Sequence, residues 1–97
     1  MLGGYTSIGN GRKTVTTGGT AEQLSTGQAC NSVIITAETD NTGIIVVGSS
    51  TVVASLSTRQ GTPLNAGESL VLTITNLNLV YLDTTVNGDG VTFLWLA

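Results

Sequence analysis

Three short runs in this 97-residue chain carry residue types that elsewhere perform chemistry, and each fails on spacing. Gly9, Asn10, Gly11, Arg12, Lys13 and Thr14 have the flavour of a phosphate-binding loop. Such a loop needs a glycine directly before its lysine and a helix after it, so that the helix N-terminus faces the phosphate. Here Arg12 precedes Lys13, and a Thr-rich run with strand character follows. Asp40-Asn41-Thr42-Gly43 and Asp83-Thr84-Thr85 approach the Asp-Thr-Gly triplet of β-rich dimeric aspartic proteases. In those enzymes the glycine permits the backbone turn that lets two carboxylates share one proton. Neither run has glycine in that place, and both read as turns. Asp83, Asn87 and Asp89 offer oxygen ligands of the kind calcium takes, but without the alternating carboxylates and downstream Glu of a dedicated loop. They read as turn residues with capping side chains.

The chain has no histidine, and Lys13 is its sole lysine, which removes the usual Ser/His and Cys/His nucleophile pairs. No catalytic residue, cofactor or metal is assigned, and the chain is read as a non-enzyme. Sandwich proteins often stack exposed aromatics on sugars, but of Tyr5, Tyr81, Phe93 and Trp95 the last three lie among aliphatics in predicted strands. They read as core, which leaves Tyr5 as the aromatic free to touch a partner.

Composition narrows the class further. Charged residues are 9% of the chain, against about 25% in a typical soluble domain. No apolar run approaches the roughly 18 residues that a spanning helix needs, so no membrane partner is expected. A net charge of −3 with three basic residues argues against direct nucleic-acid binding, which depends on phosphate contacts. The opening residues lack the basic-then-apolar order of a secretory leader, and the expectation is a protein that stays in the cytoplasm that made it. Cys30 is the single cysteine; it excludes an intrachain disulfide, fits a reducing compartment and reads as a small buried hydrophobe.

Residues 1–11 include Gly3, Gly4, Gly9 and Gly11 and are expected to form a flexible N-terminal arm, with a single domain over 12–97. Strands are predicted at Arg12–Thr17, weakly at Ala21–Ser25, and at Val33–Glu38, Gly43–Val47, Thr51–Leu56, Ser69–Thr75, Leu79–Asp83 and Val91–Leu96. Thr39–Gly43 and Asn87–Gly90 predict tight hairpin turns, and Ser57–Gly67, with the only proline at Pro63, the longest loop. No helical periodicity appears. About eight short strands at regular spacing predict an all-β fold, a single small antiparallel β-sandwich of jelly-roll type.

Such a sandwich has one thin core, and Ile34, Ile44 or Ile45, Val46 or Val47, Val71 and Val80 cannot all face it. Several are expected at subunit contacts, because exposed edges and apolar patches aggregate unless symmetry consumes them. Five segments in order, Gly19–Leu24 (GTAEQL), Asn41–Gly48 (NTGIIVVG), Leu64–Ser69 (LNAGES), Leu79–Asp83 (LVYLD) and Asn87–Phe93 (NGDGVTF), resemble a group of small tailed-bacteriophage virion structural proteins. The likeness runs from Arg12 to the C-terminus. It implies a head decoration, or cement, protein: a homotrimer on the outer surface of the phage head that bridges subunits of the major capsid protein, with no catalytic residues. A tail, fibre or receptor-binding virion component is the alternative. In the first case the arm, with Tyr5, Arg12 and Lys13, is expected to contact the capsid.

Overall fold

In the computed structural model, which describes residues 4–97, the chain forms eight strands: β1 (Ile8–Thr14), β2 (Glu22–Gln23), β3 (Ser32–Ala37), β4 (Ile45–Gly48), β5 (Thr62–Leu64), β6 (Ser69–Leu72), β7 (Tyr81–Thr84) and β8 (Gly90–Leu96). They build two four-stranded antiparallel sheets, in the orders β1-β8-β3-β6 and β2-β7-β4-β5. Successive strands switch sheets except from β4 to β5, which is the jelly-roll arrangement that the strand spacing predicted.

Alternation explains which side chains meet. Val33, Ile35 and Ala37 of β3 and Val91 of β8 are buried, and Leu70, Leu72, Phe93 and Trp95 pack against the same core. Opposite them stand Ile45 and Val47 of β4, Leu64 of β5 and Leu82 of β7, with Val15, Leu24, Cys30, Leu77 and Val80 closing the sides. Burial raises the Cys30 thiol above its ordinary pKa, and its S–H donates to the Ile74 carbonyl at 3.4 Å. The thiol is thereby kept protonated and inert.

The two predicted hairpins are not hairpins. β3 and β4 lie in different sheets, as do β7 and β8, so Thr39–Gly43 and Asn87–Gly90 are crossovers between the layers. Their apolar faces bury against each other across the sandwich, which a side-by-side pair could not achieve. Side chains lock the crossovers together at one end. Asp89 accepts from the N–H groups of Thr42 and Gly43 at 3.2 and 2.7 Å, and Asn41 both accepts from and donates to the Gly90 backbone. Asn87 accepts from Gly18 N–H at 2.6 Å. The glycine signal in that turn was sound in another respect, since Gly88 takes the positive φ that glycine tolerates.

Thr51–Leu56 is not a ladder strand but part of a lid, described below. Within the predicted long loop, Thr62–Leu64 is strand β5. Pro63 is tolerated there because β5 is an edge, where a missing N–H costs no ladder bond. β6 stops at Leu72, short of the predicted Thr75.

The arm boundary also moves. Of the predicted arm, Met1–Gly3 lie outside the described residues, while Ile8–Gly11 form the first half of β1. Ser7 and Ala97 already exchange both backbone hydrogen bonds, so the entry to β1 is joined to the end of β8. Gly9 and Gly11 serve packing, not freedom. A Cβ at Gly9 would lie 2.3 Å from the Trp95 ring, and one at Gly11 2.4 Å from the Phe93 ring. Each aromatic lies over the glycine directly opposite it in the β1–β8 register.

Candidate assembly surface

The two sheets treat their outer faces differently. On the β2-β7-β4-β5 sheet, Val46 and Asp83 face outward as register partners, yet both are buried. Ser49–Gly61 folds back over them as a lid, placing Val52 and Ala54 on Val46 with Ala21, Ile44 and Tyr81 around the contact. An isolated bridge between Val53 and Gln60 stiffens the lid. The buried Asp83 carboxylate holds it down, accepting from Ala54 N–H at 2.8 Å, Gly19 N–H at 2.8 Å and Thr84 N–H at 2.9 Å. Arg59 Nε donates to the Ala54 carbonyl at 3.0 Å, so both backbone groups of that residue are satisfied. At the lid's far end Gly61 has φ +121°, and a Cβ there would meet the Val47 carbonyl at 2.7 Å.

Among the described residues, none folds over the outer face of the β1-β8-β3-β6 sheet. Its outward side chains form rows across the register: Ile8 beside Leu96, then Asn10, Leu94, Ile34 and Val71, then Arg12, Thr92, Thr36 and Ser69. Ile8 is 66% exposed and Val71 61%, with Leu94, Leu96 and Ile34 half-buried between them. The result is a contiguous apolar area over half the face. Thr and Ser hydroxyls occupy the other half, Thr36 and Ser69 bonding to each other at 2.8 Å.

The expectation of more apolar side chains than one core can hide therefore resolves by sheet. Ile45, Val46, Val47 and Val80 are all buried within the fold, and Ile34 and Val71 are not. Ile8, Leu94 and Leu96 were missed as surface candidates. The alternation of Val91, Phe93 and Trp95 against Thr92, Leu94 and Leu96 carried the signal for the last two. Ile8 was hidden inside the presumed arm.

Tyr5, Arg12 and Lys13 do not form one patch. Tyr5 precedes β1 and is 53% exposed. Arg12 and Lys13 are consecutive strand residues and point to opposite faces. Arg12 lies on the outer face and pairs with Glu38, and Lys13 reaches across to Glu22 on β2 at 3.1 Å. Both cations are therefore engaged within the chain.

Glu22 ties β1 to β2. Burial pushes its carboxyl up, but the N–H of Thr17, the Lys13 ammonium and the hydroxyl and N–H of Thr16 outweigh that and hold it down to about 2. The folded value lies below the ordinary 4.5, so this contribution is full above about pH 4.5 and disappears as pH falls through 2. The bonds that hold it lie at the solvent-exposed edge of the fold, which screens the contribution to about 1 kcal/mol. Glu22→Gln should therefore be less stable than the parent by about that amount at pH 7 in urea unfolding, with the difference vanishing near pH 2.

No family model, curated protein or solved structure matches the chain.

Proposed function

We propose that this chain is a head decoration protein of a tailed phage, a structural module that binds the outside of the assembled shell and bridges major capsid subunits. One observation carries the reading: among the described residues, the fold covers the outer face of one sheet with its own lid and leaves half of the other apolar and open. Ile8, Ile34, Val71, Leu94 and Leu96 are the contact residues. The resemblance to small virion proteins supplies the location and the three-fold association of copies.

Magnitudes favour a repeated, symmetric role. Completing the burial of five partly exposed aliphatics contributes on the order of 5 kcal/mol. Association costs roughly 4–15 kcal/mol in lost freedom before any gain appears. One such contact is weak, and many of them arrayed on a shell are not. A cement protein uses this by meeting a surface that exists only in the expanded shell, so that its binding stabilises that state.

Copy number tests the proposal. Quantitative protein analysis of purified particles should find this chain at an abundance comparable to the major capsid protein. A few copies per particle would instead assign it to the tail or fibre and overturn the decoration reading.

A further inference from the structure

Of the four sheet edges, three are short or blunted: β2 has two residues, β5 carries Pro63 at its centre, and β6 has four residues. The fourth, β1, is seven residues long. Ser7 exchanges both bonds with Ala97, and Val15 N–H bonds the Asp89 carbonyl. Antiparallel pairs alternate, so the odd-numbered residues of β1 bond β8, and the backbone N–H and C=O groups of Ile8, Asn10, Arg12 and Thr14 turn to the open side.

Natural edges are commonly guarded by charge. Here Arg12 and Lys13 are each paired within the chain, to Glu38 and Glu22, which lessens the repulsion they offer an incoming strand. We propose that the β1 edge pairs with β1 of a second copy across a two-fold axis at Gly11, joining two sandwiches through one eight-stranded sheet. This goes beyond the decoration reading and does not rest on it.

Complementarity selects the register. With Gly11 opposite its counterpart, Ile8 faces Thr14 of the other copy and Asn10 faces Arg12, and all four outward-turned residues of each strand bond. Shifting by one pair either way sets Arg12 against Arg12, a like-charge clash, or strands Thr14 beyond the ladder. The chosen register also brings together two residues without side chains. That leaves room for the Phe93 ring that covers Gly11 in each copy. Both outer faces stay on the same side, so the two apolar areas adjoin. A single strand pair buries little area, so the contact is weak in solution.

Sedimentation velocity across micromolar to near-millimolar concentrations tests this. The wild-type mass should rise toward twice its starting value. Asn10→Pro removes an N–H that β8 does not use, and should abolish that rise while leaving thermal unfolding nearly unchanged. Asn10→Asp, which sets a carboxylate against Arg12 of the other copy, should tighten association severalfold in a salt-sensitive way, and Asn10→Lys should weaken it. If the chain also trimerises, the proline variant halves the mass of the larger assembly. A mass that does not change with concentration, or Asn10→Asp and Asn10→Lys variants that associate like wild type, would overturn the proposal.

Discussion

Replacing Asp83 by alanine lowers the unfolding free energy by about 3–5 kcal/mol, read from urea denaturation. The carboxylate is 1% exposed and satisfies three backbone N–H groups from three separate stretches, the β1–β2 connection, the lid and β7. Alanine leaves buried donors unpaired, at about 1–3 kcal/mol each, partly relieved if the lid lifts and admits water. A domain of this size is stable by only about 5–15 kcal/mol, so the variant sits near its unfolding threshold at 37 °C. Lifting the lid uncovers Val46, Val52 and Ala54, and the variant should bind a hydrophobic dye and aggregate. Hydrogen exchange at the Ala54 amide should accelerate more than exchange in β3. A loss below about 1 kcal/mol would show that the lid is held by its apolar contacts alone.

Deleting residues 1–11 destroys the fold, whereas deleting residues 1–5 leaves it intact. The longer deletion removes Ser7 and the first half of β1, taking roughly six ladder bonds with Ala97, Trp95 and Phe93 at about 0.5–1.5 kcal/mol each. It also strips the glycine floor from under two aromatic rings of the core. The total, about 3–9 kcal/mol, rivals the stability of the whole domain. Thermal unfolding followed by Trp95 fluorescence should show a cooperative transition for the shorter deletion and none for the longer. Equal stability of the two would mean that β1 is dispensable and that the arm does extend to Gly11.

The strands were legible in the sequence because period-2 alternation reports burial directly, as at Leu70 and Leu72 or at Val33, Ile35 and Ala37. Sheet membership was not. Whether Thr39–Gly43 turns a hairpin or crosses between layers depends on Asp89 and Asn41 meeting partners some 46 to 49 residues away in sequence, and turn composition is the same in both cases. Thr51–Leu56 shows the same limit. Its Val52 and Ala54 are buried like strand residues, but as the underside of a lid whose anchor, Asp83, read only as a turn carboxylate. Gly9 and Gly11 misled for a related reason, because glycine signals freedom locally and a ring seat only when the strand opposite is known. Of the assembly surface, Ile34 and Val71 were visible as surplus, and Arg12 and Lys13 were visible as charges but not as engaged ones.

Val71 sits alone at the outer end of its row, on an edge strand, and its side chain supports nothing inside the fold. Val71→Lys should therefore keep the parent's unfolding midpoint while placing a solvated cation in the open apolar face. The decisive measurement is the occupancy of this variant on shells that lack the wild-type protein, quantified beside wild type at equal input. At least a tenfold drop in bound copies is the expected result, and wild-type occupancy would contradict the claim that this face is where the protein assembles.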